Sequence, residues 1–213
     1  STVMRAAITL RRETGRHGEP WDVLEVAYSS FFDSANIRLV PVPNGSHVTD
    51  DCLAHVDALV LSGGNALHPQ TLGSDAPVTP SASLERDETE LRLLRGAIGR
   101  GLPVLGICRG LHLVNAAFGG GVEPDLSTRS DVHRPGAVHP VSVTDDDAAR
   151  LFGLEHFEVN SFAFDHFDRV FPYEAGEQNL VELFGQRCGS GVGDCRVTAE
   201  CYCDWHIFPL FFP

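Results

Sequence analysis

The sequence predicts an α/β fold, a doubly wound and mostly parallel sheet with a sharp strand-to-helix turn at a cysteine. Three observations lead there. Short apolar runs alternate with amphipathic stretches through the first half of the chain. The runs carry few polar residues, as strands covered on both faces do. One of them, PVLGICRG (103–110), ends on a cysteine with glycine two residues before it and two after.

The elements follow in order. Residues 5–10 (RAAITL) read as the first strand. Residues 21–35 (WDVLEVAYSSFFDSA) read as a helix, with Val23, Val26, Ala27 and Phe31 on one side. Residues 37–43 (IRLVPVP) form a second strand, closed by the Pro43-Asn44-Gly45 turn signal. Residues 58–61 (ALVL) form a third, ending in Ser62-Gly63-Gly64. Residues 73–83 are a loop rich in small residues and proline. Ser83 is placed to cap a helix whose Leu84, Leu91, Leu94 and Ile98 share a face. Residues 99–103 break that helix and 104–107 form the fourth strand. Beyond residue 138 the pattern shifts to strands and loops: 139–144 alternates, 157–162 is expected to pair, and 181–184 is a further short run. No repeat or linker divides the chain, so one domain is expected over 1–213, with 185–213 as an atypical tail.

Composition narrows the function. The chain has 213 residues and a net charge of −13, and all 16 of its basic residues are arginine. An acidic surface without a basic stripe argues against nucleic-acid binding. Without lysine there is neither a Schiff-base amine nor a phosphate-binding P-loop. No apolar run is long enough for a bilayer and no signal-like leader is visible, so a cytoplasmic protein is expected. Cys52 and Cys108 stand alone, whereas Cys188, Cys195, Cys201 and Cys203 crowd the tail. Free thiols are the expectation. The tail cysteines with His206 could ligate zinc, but their spacing lacks the C-x2-C knuckle, and no metal or other cofactor is expected.

Gly106-x-Cys108-x-Gly110 has the form of a nucleophile elbow. The turn forces unusual backbone angles on the central residue, and small neighbours avoid clashes. A helix starting near Arg109 would aim its amino end at the sulfur and favour thiolate. A small buried hydrophobe at a tight turn would leave the same short pattern. The surroundings favour the nucleophile. Acyl transfer needs amide donors for an oxyanion, which Arg109 and the Ser62-Gly63-Gly64-Asn65 loop can supply from adjacent strand ends.

These motifs, taken together, resemble the class I glutamine amidotransferases. LSGGN (61–65), Arg86-Asp87 with Glu90, LPVLGICRG (102–110), Asn115 and Gly119-Gly120 occur in that family's order and spacing. Pro124-Asp125-Leu126, His133-Arg134, His139-x-Val141 and Val159-Asn160-Ser161-Phe162 extend the likeness, most closely to the gamma-glutamyl hydrolase branch. The early ITLRRE (8–13) and WDVLEVAYSSFF (21–32) resemble in particular the hydrolases of gamma-glutamyl nucleotide amidates. The likeness covers about residues 5–185.

The resemblance implies a flavodoxin-like fold and a cysteine hydrolase that cleaves a gamma-glutamyl amide through a glutamyl thioester. Cys108 would be the nucleophile. Gly64 and Arg109 would give the oxyanion hole, with Gly63 and Asn65 beside them. His133, Arg134, Asn160, Ser161 and Phe162 would line the substrate cleft, His133 being equally open to a structural role. The family ends on Trp-His-x-Glu, whereas this chain has Trp205-His206-Ile207-Phe208, and Ala163 stands where a histidine is common. His206 is then the candidate base. Asp204, two residues away on the same strand face, is a substitute for the missing acid. His166 with Asp168 is a second pair, read as a loop feature. Two other functions stay open: a glutaminase subunit feeding ammonia to a synthase, and an inactive binding or regulatory module of the same fold. A small gamma-glutamyl compound is the expected partner. Nucleic acid and membrane are not, and a homodimer or a synthase partner is left open.

Overall fold

The computed structural model describes residues 3–119, 138–142, 156–160 and 207–210. Its centre is a five-stranded sheet built from β1 (Met4–Thr9), β4 (Ile37–Val42), β5 (Ala58–Leu61), β6 (Val104–Ile107) and β9 (Ile207–Leu210), in the order β4-β1-β5-β6-β9. The first four are mutually parallel, and β9 runs antiparallel against β6. By order of appearance this is 2-1-3-4-5, the flavodoxin-like arrangement, with its switch point between β1 and β5. The predicted fold class is the observed one.

Strand alternation explains why both faces are covered. Ala6, Ile8, Ala58, Val60, Leu105 and Ile107 face one layer, where α1 (Val26–Ser34) packs through Tyr28 and Phe32. Ala7, Leu59, Leu61 and Val104 face the other, against Leu93, Leu94 and Ala97 of α2 (Leu84–Gly99) and Leu113 and Val114 of α3 (Arg109–Ala117). Every residue of β5 and β6 is buried, so neither strand shows a polar face. A short 3-10 turn, Asp50–Leu53, adds Leu53 to the second layer.

Three expectations need correction. Residues 21–23 are not helical: β2 (Arg11–Thr14) and β3 (Pro20–Val23) form an antiparallel hairpin, and α1 begins only at Val26. The turn between them is closed by Gly18 N–H to Gly15 carbonyl at 3.0 Å, with Gly18 at φ 84°. Directly opposed Arg12 and Asp22 are bridged at 2.9 Å, a charge pair that apolar periodicity cannot register.

The buried face of α1 also differs from the expected one. Tyr28 and Phe32 are buried, while Val26 is 80% exposed and Ala27 and Phe31 are only half-buried. The apolar residues of this helix lie on several sides, so docking against β1 and β4 selects among them.

The third correction concerns α2. Its buried stripe is Arg86, Asp87, Thr89, Glu90, Leu93, Leu94 and Ala97; Leu84, Leu91 and Ile98 sit at the margin. Three charged side chains thus occupy a face that an apolar count assigns to solvent. The cap at Ser83 is as expected, its Oγ accepting from Arg86 N–H at 3.3 Å.

Beyond α3, β7 (Val138–Ser142) and β8 (His156–Asn160) pair antiparallel with each other; both fall where strands are expected, and residues 143, 144, 161 and 162 of those stretches lie outside the described residues. The run 181–184 lies outside the described residues. Among the described residues, no helix is long and apolar enough to cross a membrane.

Candidate active site

Cys108 stands between β6 and α3 at φ 52°, ψ −111°, backbone angles that a non-glycine residue rarely adopts. The glycines on either side are sterically required. A Cβ at Gly106 would fall 2.8 Å from Leu111 N, and one at Gly110 would fall 2.2 Å from the carbonyl oxygen of Leu61. Helix α3 therefore turns back over β6 and lies against the end of β5, which brings the cysteine beside the next strand's loop. The elbow inferred from Gly-x-Cys-x-Gly is present. Cys108 forms no disulfide and is partly exposed.

The loop after β5 flanks it. A Cβ at Gly63 would sit 3.1 Å from Tyr28 Oη and 3.4 Å from Cys108 Cβ. Gly64 (φ 83°) and Asn65 (φ 49°) both take left-handed conformations. Gly63 N–H donates to Tyr28 Oη at 2.9 Å, so this amide faces α1. Gly64 follows Gly63 in the loop after β5, and Arg109 follows Cys108 at the start of α3. Arg109 N–H, in the first turn of α3, has no intrahelical carbonyl within reach. Arg11, from the hairpin, lies over Gly64, where a Cβ would meet its Cδ at 2.2 Å. Arg11 Nε is bridged to Glu25 at 2.7 Å, and its Nη1 pairs with Glu13.

Behind this surface lies a buried set of four charges. Arg86 Nη2 donates to the carbonyls of Ser62 (3.0 Å) and Gly63 (2.9 Å), and Nη1 to Asn65 Oδ1 (2.9 Å). Arg86 Nε is bridged to Glu90 at 3.1 Å. Arg109 pairs through Nη1 with Glu90 and through Nη2 with Asp87. Asp87 also accepts from His68 N–H at 2.8 Å and Thr71 Oγ1 at 2.6 Å. Burial alone would raise the Glu90 carboxyl, but the charges of Arg109 and Arg86 overcome it and hold it below the usual range. Burial, reinforced by Arg109, brings the Arg86 guanidinium down to about 10, still charged at neutral pH.

Two neighbours titrate away from their ordinary values. Burial pushes the Tyr28 phenol well up, so it stays a neutral hydroxyl. Burial and then the charge of Arg109 lower His112, which follows Cys108 by one helical turn in α3.

Of the residues singled out from the sequence, Gly63, Gly64, Asn65, Cys108 and Arg109 converge at adjacent strand ends. Asn160 closes β8 opposite Val138. His133, Arg134, Ser161, Phe162, His166, Asp168, Asp204 and His206 lie outside the described residues, as do Cys188, Cys195, Cys201 and Cys203. Among the described residues no His/Cys/Asp/Glu group could hold a metal ion. Tyr28 and the role of Arg86 escaped the sequence reading. The available signal was the charged triplet 86/87/90 in helical register with Leu93, Leu94 and Ala97.

Comparison with known proteins agrees with this arrangement. The Peptidase C26 family matches residues 4–172. A protein of Lactococcus lactis subsp. cremoris named "putative glutamine amidotransferase-like protein YvdE homolog" is 31% identical over 160 residues, 67% of this chain and 82% of that one. A "putative glutamine amidotransferase" of Schizosaccharomyces pombe is 33% identical over 116 residues, 50% of this chain and 46% of that one. Another of that name, from Mycobacterium tuberculosis, is 40% identical over 104 residues, 47% of this chain and 33% of that one. The match thus spans between a third and a half of the length of the latter two relatives.

Proposed function

The chain belongs to the peptidase C26 family of class I glutamine amidotransferase-like proteins, and on that premise we propose that it hydrolyses the gamma-glutamyl amide bond of a small compound. The observation behind this reading is the strained Cys108 at the amino end of α3, beside the Gly63-Gly64 loop.

The chemistry runs in two halves. The Cys108 thiolate adds to the gamma-carbonyl carbon, and the oxyanion so formed is met by the amides of Gly64 and Arg109. The C–N bond breaks, the amine leaves with a proton from the imidazolium of His206, and a glutamyl thioester remains. Water then gives a proton to that imidazole and adds to the thioester. The C–S bond breaks and glutamate departs. Asp204 orients the imidazole. His133, Arg134, Asn160, Ser161 and Phe162 contact the glutamyl end. Support for His206 comes from β9: its first residue, Ile207, pairs with Ile107, the residue before Cys108, and His206 is next along the chain.

A second reading has its own observation. Phe208, where the family places the orienting glutamate, is paired with Gly106, and that substitution suits an inactive binding module. Glutamate release from a panel of gamma-glutamyl amides, with Cys108→Ala as blank, separates the two. Release above the blank is expected. Binding without release, measured by calorimetry, would replace hydrolysis with the binding reading.

A further inference from the structure

We infer that Arg86 is a positioning residue that holds both oxyanion donors in place, an inference resting on the hydrolytic reading of Cys108. Arg86, Asp87 and Glu90 are each 0% exposed and Arg109 is 2% exposed, so water does not share in their pairing. The set is neutral, two guanidinium groups against two carboxylates. All three α2 members come from one face of one helix, and they reach both loops that flank the cysteine.

The loop after β5 is set by its carbonyls. A trans peptide is planar, with C=O and the following N–H pointing opposite ways. Arg86 holds the Ser62 carbonyl at 3.0 Å, and the N–H of that same peptide, Gly63 N–H, points away to Tyr28. Arg86 also holds the Gly63 carbonyl at 2.9 Å, which by the same geometry turns Gly64 N–H away from α2. A left-handed Gly64 does not keep that orientation by its own preference, since glycine populates both signs of φ. The guanidinium decides it.

The second donor is set through the side chain of its residue. Arg109 is gripped by Asp87 and Glu90, which fixes the first turn of α3 against α2. Glu90 joins the two halves, because it also pairs with Arg86. The spacing between Gly64 N–H and Arg109 N–H is thereby referred to one rigid helix face. Pre-set donors of this kind act on the oxyanion and not on the bound substrate.

Two reactions of the same sulfur separate positioning from support of the fold. Alkylation by iodoacetamide needs the Cys108 thiolate but forms no oxyanion. Acylation by p-nitrophenyl acetate needs both. The rates are compared at Cys108, by peptide mapping for the first and by subtracting Cys108→Ala for the second. Arg86→Lys keeps the charge but lacks the planar fork that reaches several acceptors at once. Its acylation rate should fall at least about tenfold against its alkylation rate, the loss of a whole donor being worth more. With a gamma-glutamyl substrate kcat should fall while KM holds. Glu90→Gln, which preserves shape, should move the ratio the same way and serves if Arg86→Lys does not fold. An unchanged ratio in a folded variant overturns the inference, as does an equal fall in both rates with a lowered melting temperature. A wild-type protein that is acylated at Cys108 but releases no glutamate refutes the gamma-glutamyl reading and leaves the role of Arg86 standing.

Discussion

Tyr28 Oη accepts the N–H of Gly63 at 2.9 Å, joining the first turn of α1 to the loop beside Cys108. Gly63 is buried, so its amide has no water to turn to if the phenol is removed. Tyr28→Phe should therefore cost about 1–3 kcal/mol, the usual penalty for stranding a buried donor. Urea unfolding checks it, and an unchanged midpoint would show that the amide finds another partner.

Gly110→Ala should be far more damaging. The new methyl would lie 2.2 Å from the backbone carbonyl oxygen of Leu61, which has no rotamer by which to yield. Helix α3 would have to lift off β5, at a cost of about 3 kcal/mol or more. Loss of soluble protein or of a cooperative melt is the expected result. A normal melt would mean that α3 packs farther from β5 than described.

Acid should destabilise the protein in two steps. His112 is depressed in the folded state from its ordinary 6.5, so the unfolded chain binds its proton first and stability begins to fall below about pH 6.5. Glu90 is depressed from 4.5; its contribution is complete above that value and lost as pH falls through the lower native one. His112→Gln should flatten the upper step and Glu90→Gln the lower. Melting temperature against pH for the three proteins tests both signs.

Cys108 should be alkylated before Cys52 by limiting iodoacetamide. Burial first, and then Asp50 and Asp51, raise the Cys52 thiol, and its Sγ donates to the Thr49 carbonyl at 3.0 Å. Cys108 instead faces the amino end of α3. Peptide mapping after partial labelling gives the order, and prior labelling of Cys52 would count against Cys108 as nucleophile.

The tail offers a graded test. In the proposed reaction His206 and Cys108 act on one proton, so His206→Ala should abolish turnover nearly as fully as Cys108→Ala. Asp204→Asn should cause a smaller loss by freeing the imidazole's second N–H. Phe208→Glu should raise the rate by restoring His-x-Glu in a strand whose register against β6 is Phe208 to Gly106. Unchanged activity in both His206→Ala and Phe208→Glu would remove the tail from catalysis.

Local chemistry was readable from the sequence alone because its partners are near in the chain. Gly106 before Cys108, the Ser83 cap and the apolar runs of β5 and β6 each depend on atoms a few residues away or on simple burial. The convergence of Gly64 with Cys108 also followed, since parallel strands put successive loops at one edge. Only the tertiary structure decided which sides of α1 and α2 turn inward, and that residues 11–14 and 20–23 pair. It alone joined Tyr28 to Gly63, Arg109 to Asp87 and Glu90, and Arg86 to the loop after β5. Those contacts pair polar groups up to 35 residues apart. Apolar periodicity counts only apolar burial, and a charge set that neutralises itself in the interior looks, one residue at a time, like a solvated face.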